Sequence, residues 1–495
     1  MEISEMLKFA ELGNADAQYN MGEHYYYGNG VEQDYDNAVE WYRLAAAQGV
    51  ARAQYMLGAC YYYGDGAIQD YGRAVRWYTK AAEQGLAEAQ CNLGDCYENG
   101  QGVVQDYGKA VAWYEKAAAQ GCATAEYAMG EVYRHGRGVV RDENAAVEWY
   151  KKSAEHGDAD AQYEIGQAYL NGNSVEQDKK RAFFWFSESA KNDCVNGFYC
   201  VGQCYRFGVG VAKNETEAFK WITRAAEQGL VDAQCVLGNC YYYGDGVDKD
   251  YLEAVKWFGR AAAQGDLHSQ YSLGYCYENG YGVPQDYEKA VVWFRMAAER
   301  DYSEAQLCLG YCYDNGWGVP QDRGKAIELY LLAAKNGNAG AQHNLGVAYS
   351  TGNGVSKDVV KAVEWYKKAA EQGYAGSQIN LGNCYIQGIG VPQDSKKAFE
   401  WHAKAAEQGI ACAQNHMGYC YMQGELVSKD SKKAAEWFAK AAEQGSSEAQ
   451  YNLGLCYRDG DGVPQNRTEA IKWFTKAAEQ GYENAKRALQ KMNVC

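Results

Sequence analysis

The sequence predicts an all-α repeat fold, and three periodic features support that prediction. A glycine preceded by an apolar residue recurs thirteen times at intervals of 36 residues, from Gly22 to Gly454, without insertion or deletion. A second glycine follows six residues after each of these, and an aspartate or asparagine follows six residues later again. Such a fixed period indicates that one two-helix unit is stacked in a line, with each unit packing mainly against its neighbours.

The predicted fold class is a right-handed α/α superhelical solenoid of about thirteen 36-residue two-helix repeats with helical caps. We expect an N-terminal capping half-repeat over residues 1–13, thirteen tandem repeats over 14–481 and a C-terminal capping helix over 482–495. The length of 495 residues would otherwise favour several globular domains, but the repeat is not interrupted by any linker or low-complexity segment.

The first helix of the first repeat is predicted within Asn14–Tyr27. Ala17, Met21 and Tyr25 recur there at i, i+4 and i+8, which places them on one face of a helix. The Tyr25 position is tyrosine in all thirteen repeats. Gly28 is also invariant, and we expect it to end the helix as a C-terminal glycine stop.

Asp34 is predicted to cap the start of the second helix, because its side-chain oxygen can accept a free backbone amide. Eleven repeats have Asp at this place and two have Asn. Both asparagines, Asn214 and Asn466, begin an Asn-x-Thr sequon, and the capping role accounts for them without glycosylation. A glycine stop closes the second helix in most repeats, with Asp193 and Asp301 as replacements.

The second helix is predicted over Tyr35–Gln48. It should bury Trp41 together with Ala38, Ala45 and Ala46 on its inner face. Gly22 lies inside the first helix, where glycine costs about 1 kcal/mol relative to alanine. We therefore expect the two helices to approach closely at Gly22, with Trp41 filling the space beside it. One tryptophan and one tyrosine per repeat would then form a continuous aromatic spine.

The net charge of −16 disfavours nonspecific binding to nucleic acid or to anionic lipid. Met1–Ala10 lacks the basic and apolar regions of a signal peptide, and no stretch approaches the roughly 20 apolar residues that span a bilayer. We expect a cytoplasmic protein that does not insert into membranes.

Seventeen cysteines are present, and nine of them share one repeat position that also holds Val132, Ala168 and Ala348. A disulfide ladder would need a second recurring cysteine on the partner helix, which is lacking. We expect reduced thiols in a small packing position. The nine are Cys60, Cys96, Cys204, Cys240, Cys276, Cys312, Cys384, Cys420 and Cys456.

The repeat pattern A-x-A-Q-x-x-L-G-x-x-Y-x-x-G-x-G-V, nearly intact in Ala87–Gly121, resembles the Sel-one-like repeat family. These repeats are short relatives of the tetratricopeptide repeats, so the resemblance implies an α/α solenoid and a role as adaptor or scaffold. Secreted members carry a leader and a paired cysteine in each repeat, and we expect neither here. The place of the lysine in the tetratricopeptide carboxylate clamp is held by residues such as Tyr19 and Cys91, so that clamp is not expected.

We expect a non-enzymatic protein–protein interaction scaffold that binds a partner through the concave face of the solenoid. The sequence contains no Ser-x-x-Lys, Gly-x-Ser-x-Gly, His-Glu-x-x-His or Walker-type motif, and no cofactor is predicted. The alternative is a hydrolase of the β-lactamase-like type described for some cysteine-rich family members, which the missing Ser-x-x-Lys disfavours.

The candidate partner-binding residues are tyrosines and acids on the variable face of the first helices. This combination suits a protein or peptide with basic or amphipathic segments, although any single tyrosine could instead pack against the next repeat. The candidates are Tyr26, Tyr27, Tyr62, Tyr63, Glu98, Glu131, Tyr242, Tyr243, Tyr275, Glu278, Tyr311, Asp314 and Tyr419.

Two further features allow more than one interpretation. Cys412, His416 and Cys420 share one helix face, but the outer pair is about 12 Å apart by helix rise, so all three cannot bind one zinc ion. Two of these three residues, together with Cys384, could bind a metal. We prefer to interpret the three as variable surface positions, and we predict no metal site. Residues 170–216 are the least regular part of the repeat, which indicates a bend, a docking site, or sequence drift that aromatic packing compensates. That segment is rich in phenylalanine: Phe183, Phe184, Phe186, Phe198 and Phe207.

Overall fold

The computed structural model describes residues 2–424 and 426–493. Within these ranges the chain forms 28 α-helices and no strand, which confirms the predicted all-α repeat class. The helices belong to two compact units, Met1–Asp250 and Tyr251–Cys495. Those of the first unit are α1 (Ile3–Glu11), α2 (Ala15–Tyr27), α3 (Tyr35–Ala47), α4 (Ala51–Tyr63), α5 (Tyr71–Glu83), α6 (Ala87–Asn99), α7 (Tyr107–Ala118), α8 (Ala123–His135), α9 (Glu143–Glu155), α10 (Ala159–Asn171), α11 (Lys179–Lys191), α12 (Val195–Phe207), α13 (Glu215–Glu227) and α14 (Val231–Tyr243).

The second unit repeats the same alternation of helices. Among the described helices of the two units, none is long and apolar enough to cross a bilayer. Those of the second unit are α15 (Tyr251–Ala263), α16 (Leu267–Asn279), α17 (Tyr287–Ala298), α18 (Ser303–Asn315), α19 (Arg323–Lys335), α20 (Ala339–Thr351), α21 (Val359–Glu371), α22 (Ala375–Gln387), α23 (Ser395–Glu407), α24 (Ala411–Gln423), α25 (Ser431–Glu443), α26 (Ser447–Asp459), α27 (Arg467–Glu479) and α28 (Glu483–Asn493).

The helix boundaries follow the predicted capping residues. Gly28 ends α2 in the left-handed conformation, with φ of 68°. The Asp34 side chain accepts the backbone amide of Asn37 at 3.0 Å at the start of α3. The sequon asparagines Asn214 and Asn466 make the same contact at the starts of α13 and α27, which confirms their capping role.

Within each unit, the first helix of a repeat meets the second helix of the same repeat at the recurring glycine, but the facing residue is not the predicted tryptophan. A Cβ atom added to Gly22 would lie 2.5 Å from the ring of Tyr42. Because successive helical residues are about 100° apart, Tyr42 points to the face of Ala38 and Ala46 while Trp41 points away. The prediction that Trp41 fills this space is therefore wrong.

The residue after the helical tryptophan, or after Leu329 in the ninth repeat, takes the buried place instead, and it is usually aromatic. We refer to this repeat position as the facing position. Its occupants opposite a described glycine are Tyr42, Tyr78, Tyr114, Tyr150, Phe186, Ile222, Phe294, Tyr330, Tyr366, His402, Phe438 and Phe474.

The tryptophans are mostly half-buried and lie beneath cationic side chains. Lys116 Nζ lies 3.9 Å from the ring centre of Trp113, and Lys80 makes the same contact with Trp77 at 4.2 Å. Such cation–π contacts contribute about 0.5–1 kcal/mol at exposed sites. The tryptophans therefore stabilise the edge of the core. The buried side chains of the predicted aromatic spine are those at the facing position.

A buried glutamine on most first helices connects consecutive repeats. The Gln18 side chain donates to the carbonyl of Ala10 at 3.0 Å, and its oxygen accepts from Gln48 at 2.7 Å. In the fourth repeat this pair is replaced by Glu126 and His156, whose Oε2 and Nδ1 atoms are 2.7 Å apart. Since buried polar groups are costly unless paired, the ladder fixes the register between repeats.

Among residues 2–424 and 426–493, three non-glycine residues adopt the left-handed conformation that glycine normally supplies. Asp193 and Asp301 take the place of the stop glycine after a second helix, with φ of 59° and 62°. Ser174 replaces a loop glycine, with φ of 58°. Each such residue stores backbone strain of roughly 1 kcal/mol or more.

Candidate functional site

The predicted partner-binding residues fall on three positions of the first helix, aligned with Glu23, Tyr26 and Tyr27. We refer to them as positions 23, 26 and 27. Position 23 includes Glu131, Tyr275, Tyr311 and Tyr419; position 26 includes Tyr26, Tyr62, Glu98, Tyr242, Glu278 and Asp314; position 27 includes Tyr27, Tyr63 and Tyr243.

In the first unit, position 26 contacts the loop of the following repeat. The Tyr26 hydroxyl donates to Asp65 Oδ2 at 2.8 Å, and Tyr62 makes the equivalent contact one repeat later at 2.6 Å. Glu98 accepts from Arg137 Nη1 at 2.7 Å. These side chains thus join neighbouring repeats, and their polar ends are already engaged within the chain.

The acids of positions 23 and 26 also accept from the phenol at the facing position. In the third repeat, Tyr114 donates to Asp95 Oδ1 at 2.6 Å and to Glu98 Oε2 at 2.7 Å. Burial, followed by the charge of Asp95, holds the pKa of Tyr114 far above its ordinary value, so the phenol remains a donor. Burial likewise raises the pKa of Asp95.

Glu131 is engaged in a similar network in the fourth repeat. It accepts a short hydrogen bond from Tyr150, and it lies 3.3 Å from His135 and 3.5 Å from Arg134. Arg134 also pairs with Glu164 at 2.9 Å. Neither Glu98 nor Glu131 is therefore an isolated surface charge.

Position 27 differs because its tyrosines project from the end of the helix. Tyr27 is 56% exposed and Tyr63 is 64% exposed, in consecutive repeats. Each packs edge-on against the preceding tyrosine, with ring centres 5.0 Å apart for Tyr26–Tyr27 and 4.9 Å apart for Tyr62–Tyr63. Tyr243 is exposed and packs in the same way against Tyr242. These rings are oriented by their neighbours yet available to a partner.

The candidates of the second unit have mixed surroundings. Tyr275 is half-buried beside Tyr271, with ring centres 6.3 Å apart. Burial raises the pKa of Glu278. Tyr419, at 54%, is the most exposed of this group.

Tyr311 and Asp314 border a small cleft in the ninth repeat. The Tyr311 hydroxyl donates to Asn344 Oδ1 at 3.3 Å. Asp314 Oδ1 lies 3.6 Å from Arg323 Nε at the rim. The cleft, of about 80 Å³, lies between α18, α19 and α20.

The possible metal ligands do not assemble. His416 Nε2 lies 3.5 Å from Cys420, but Cys412 is exposed and Cys384 belongs to the hydrophobic cluster around Leu381. The ring centre of His402 lies 4.3 Å from that of His416, a proximity that the sequence did not indicate. In the described part of the chain, no group of three or more His, Cys, Asp or Glu side chains could hold a metal ion.

The cysteines of the recurring position are mainly buried, and no disulfide joins the cysteines that the structure describes. Burial raises the pKa of Cys96 and of Cys276 to about 12. Thiols with such pKa values are protonated and poorly nucleophilic at neutral pH.

The phenylalanines of residues 170–216 separate into buried and exposed groups. Phe186 and Phe198 are fully buried, and Phe183 packs against Tyr205 with ring centres 5.4 Å apart. Phe184 and Phe207 are exposed, but they lie on different helices, α11 and α12. Among the described residues, the ring contacts of these phenylalanines are with Tyr163, Trp185, Tyr205 and Trp221 and not with one another.

The repeat itself decides the family. The family model of the Sel1 repeat matches thirteen consecutive segments, which cover nearly the whole chain. The chain belongs to the Sel1 repeat family. The matched segments are residues 15–50, 51–86, 87–122, 123–158, 159–194, 199–230, 231–266, 267–302, 303–338, 339–374, 375–410, 413–446 and 447–482.

Solved structures of other Sel1 repeat proteins are similar. One is c5321, a protective antigen present in uropathogenic Escherichia coli strains, at 34% identity and a TM-score of 0.55 over 98% of this chain and 97% of that one. A Sel1 repeat protein from Oxalobacter formigenes is 33% identical, with a TM-score of 0.47 over 70% of this chain and 89% of that one. No curated protein matches the sequence.

The sequence contained signals for the contacts that organise these Sel1 repeats. The facing position is bulky in all thirteen repeats, which could have identified it as buried. The Gln18 position is glutamine in most repeats, and its recurrence on an otherwise apolar face could have indicated a buried hydrogen-bond ladder. The geometry of the cleft at Asp314 had no comparable sequence signal.

Proposed function

We propose that this Sel1 repeat protein is a non-enzymatic scaffold that binds a partner protein or peptide through the surface of its first helices. The exposed tyrosines of position 27 support this proposal most directly, because Tyr27 and Tyr63 present large, oriented rings in consecutive repeats. Aromatic side chains with a polar end are enriched among residues that dominate binding energy.

The chemistry of the surface favours a basic or amphipathic partner segment. The chain has a net charge of −16. Complementary charge accelerates association and is screened by salt. We therefore expect partner affinity to fall as the ionic strength rises.

The alternative function, a β-lactamase-like hydrolase, gains no support from the described residues. The cysteines of the recurring position are mainly buried, and burial raises the pKa values of Cys96 and Cys276. A cytoplasmic location stays a prediction of the sequence.

The decisive experiment replaces Tyr27 and Tyr63 together by alanine. Crosslinking and mass spectrometry in the source cells would first identify the proteins bound by the wild type. Binding of the purified partner should then weaken at least about thirtyfold in the double variant, because a single aromatic anchor buried in an interface contributes about 2 kcal/mol or more. Phe184→Ala provides the matched control, since Phe184 is similarly exposed but lies on a second helix.

Unchanged partner affinity in the double variant would contradict the assignment of the surface. Equal losses in the double variant and in Phe184→Ala would also contradict it, because the effect would then not be specific to the first helices. Circular dichroism of each variant would show whether the helices are retained.

A further inference from the structure

The cleft of the ninth repeat contains buried polar atoms that lack partners. The Tyr330 hydroxyl lines it on a side chain that is 2% exposed, and this hydroxyl has no hydrogen-bond partner. The Nδ2 atom of Asn344, also at the cleft, is buried and equally without a partner. Buried polar groups in folded proteins are nearly always paired, so two unpaired donors beside one cavity indicate a missing acceptor.

In the third repeat, a side chain of the protein itself accepts from the hydroxyl at the facing position. There the phenol of Tyr114, equivalent to Tyr330, donates to Glu98 Oε2 at 2.7 Å. Asp314 takes the position of Glu98 in the ninth repeat, and its side chain is one methylene shorter. It lies instead 3.6 Å from Arg323 at the rim. The carboxylate that closes the third repeat thus has no counterpart beneath Tyr330.

The groups around the cleft favour an anionic acceptor. Tyr311 donates to the Asn344 oxygen, which leaves the amide nitrogen to face an acceptor. Burial raises the pKa of Tyr330 far above its ordinary value, so its hydroxyl keeps its proton and donates. The Arg323 guanidinium adds a positive charge at the same cleft, and Asp314 partly offsets it.

We propose that this cleft binds a carboxylate group, held by the Tyr330 hydroxyl, the Asn344 amide and the Arg323 guanidinium. The carboxylate can come from an acidic side chain or chain end of a protein, or from a small organic acid. This site is independent of the tyrosine surface proposed above and goes beyond it. It also differs from the tetratricopeptide clamp, because its main donor is a phenol on a second helix.

The size of the cleft is compatible with this ligand. Its volume of about 80 Å³ is several times the roughly 10–15 Å³ that one water molecule requires. The simplest alternative occupant is therefore a small number of water molecules, and the test must separate water from a carboxylate.

Hydrogen exchange in sodium acetate, measured by mass spectrometry on the full chain, provides the test. Sodium chloride at equal ionic strength is the reference, and acetamide is the uncharged control. If acetate binds, exchange in α19 and α20 should slow about tenfold when acetate is at ten times its Kd, because a ligand of the folded state reduces local opening by mass action. Helices α5 and α6, in the other unit, should not respond.

Four variants make the result specific. Tyr330→Phe, which resembles Phe294 of the preceding repeat, should lose the acetate effect. Asp314→Glu should slow exchange without acetate and then show no further change, because the chain supplies its own carboxylate as in the third repeat. Asp314→Asn keeps the shorter side chain and should retain the effect. Tyr78→Phe removes a buried hydroxyl of the facing position in the other unit and should leave the effect unchanged.

A wild type that does not respond to acetate would overturn the proposal and leave bound water only. An equal response to acetamide would also overturn it, because the site would not select a carboxylate. If acetate succeeds, N-acetylglutamate α-amide and a tripeptide with or without C-terminal amidation identify the source. Stronger protection by either peptidic carboxylate supports a protein ligand, and protection by acetate alone supports a small organic acid.

Discussion

The third and ninth repeats both have a tyrosine at the facing position of the second helix, but only the third repeat supplies an acceptor for its hydroxyl. Tyr114 donates to Asp95 and Glu98, whereas Tyr330 faces Tyr311 and a cleft. The difference arises from two substitutions at positions 23 and 26. Tyr311 stands where the third repeat has Asp95, and Asp314, one methylene shorter than Glu98, does not reach the phenol, so neither position supplies an acceptor.

The largest effect should come from removing the phenol ring itself. Tyr114→Ala should destabilise the third repeat by about 3–5 kcal/mol, because the ring is fully buried against Gly94. Trp113→Ala should cost clearly less, since Trp113 is only half-buried. Local hydrogen exchange in α6 and α7 measures both. A larger loss of stability in Trp113→Ala than in Tyr114→Ala would show that the tryptophan is the main stabilising residue of the spine.

The eleventh repeat offers a third version of the facing position, His402, which should be sensitive to acid. His402 is 4% exposed, and burial followed by the charge of His416 lowers its pKa to about 4. A histidine whose folded pKa lies below its unfolded value destabilises the folded state as pH falls below the unfolded value of about 6.5. The local free energy of unfolding should drop by up to about 3 kcal/mol as the pH falls from 6.5 to 4.

Hydrogen exchange in α23 and α24 as a function of pH, corrected for the intrinsic rate, would detect this loss. His402→Phe, which matches Phe438 of the next repeat, should abolish most of the pH dependence. If the pH dependence persists in His402→Phe, other titratable groups cause it.

Charge reversal at position 26 would sharpen the comparison between the two repeats. Glu98→Lys should destabilise the third repeat by about 2 kcal/mol, because it removes the partner of Arg137 and one acceptor of Tyr114. Asp314→Lys in the ninth repeat should cost less than about 1 kcal/mol, since Asp314 is more exposed and does not contact the phenol. Equal losses in urea titrations would show that the two acids have the same role.

The smallest effect concerns the turns that lead into the two repeats. The third repeat is entered through Gly85 with φ of 93°, and the ninth through Asp301 with φ of 62°. Asp301→Gly should stabilise the ninth repeat by about 0.5 kcal/mol, because relief of strain slightly exceeds the added flexibility of the unfolded chain. Asp193→Gly should stabilise its repeat by a similar amount. If both substitutions destabilise the protein instead, the contacts of the aspartate side chains outweigh the backbone strain.

The sequence by itself determined the elements that depend on local interactions. The 36-residue period predicted the number of helices and the all-α repeat class, and Gly28 and Asp34 predicted where helices end and begin. Caps and stops act within one or two helical turns, so their residues can be recognised without knowledge of the packing.

Only the tertiary structure decided which side chains meet. It showed that Tyr42 rather than Trp41 faces Gly22, because a single residue step rotates a side chain by about 100° around the helix. It also showed that Glu98 reaches a phenol that Asp314 does not reach. A sequence records both acids as equivalent charges, but hydrogen bonding depends on distances of a few tenths of an ångström between helices that are adjacent only after folding.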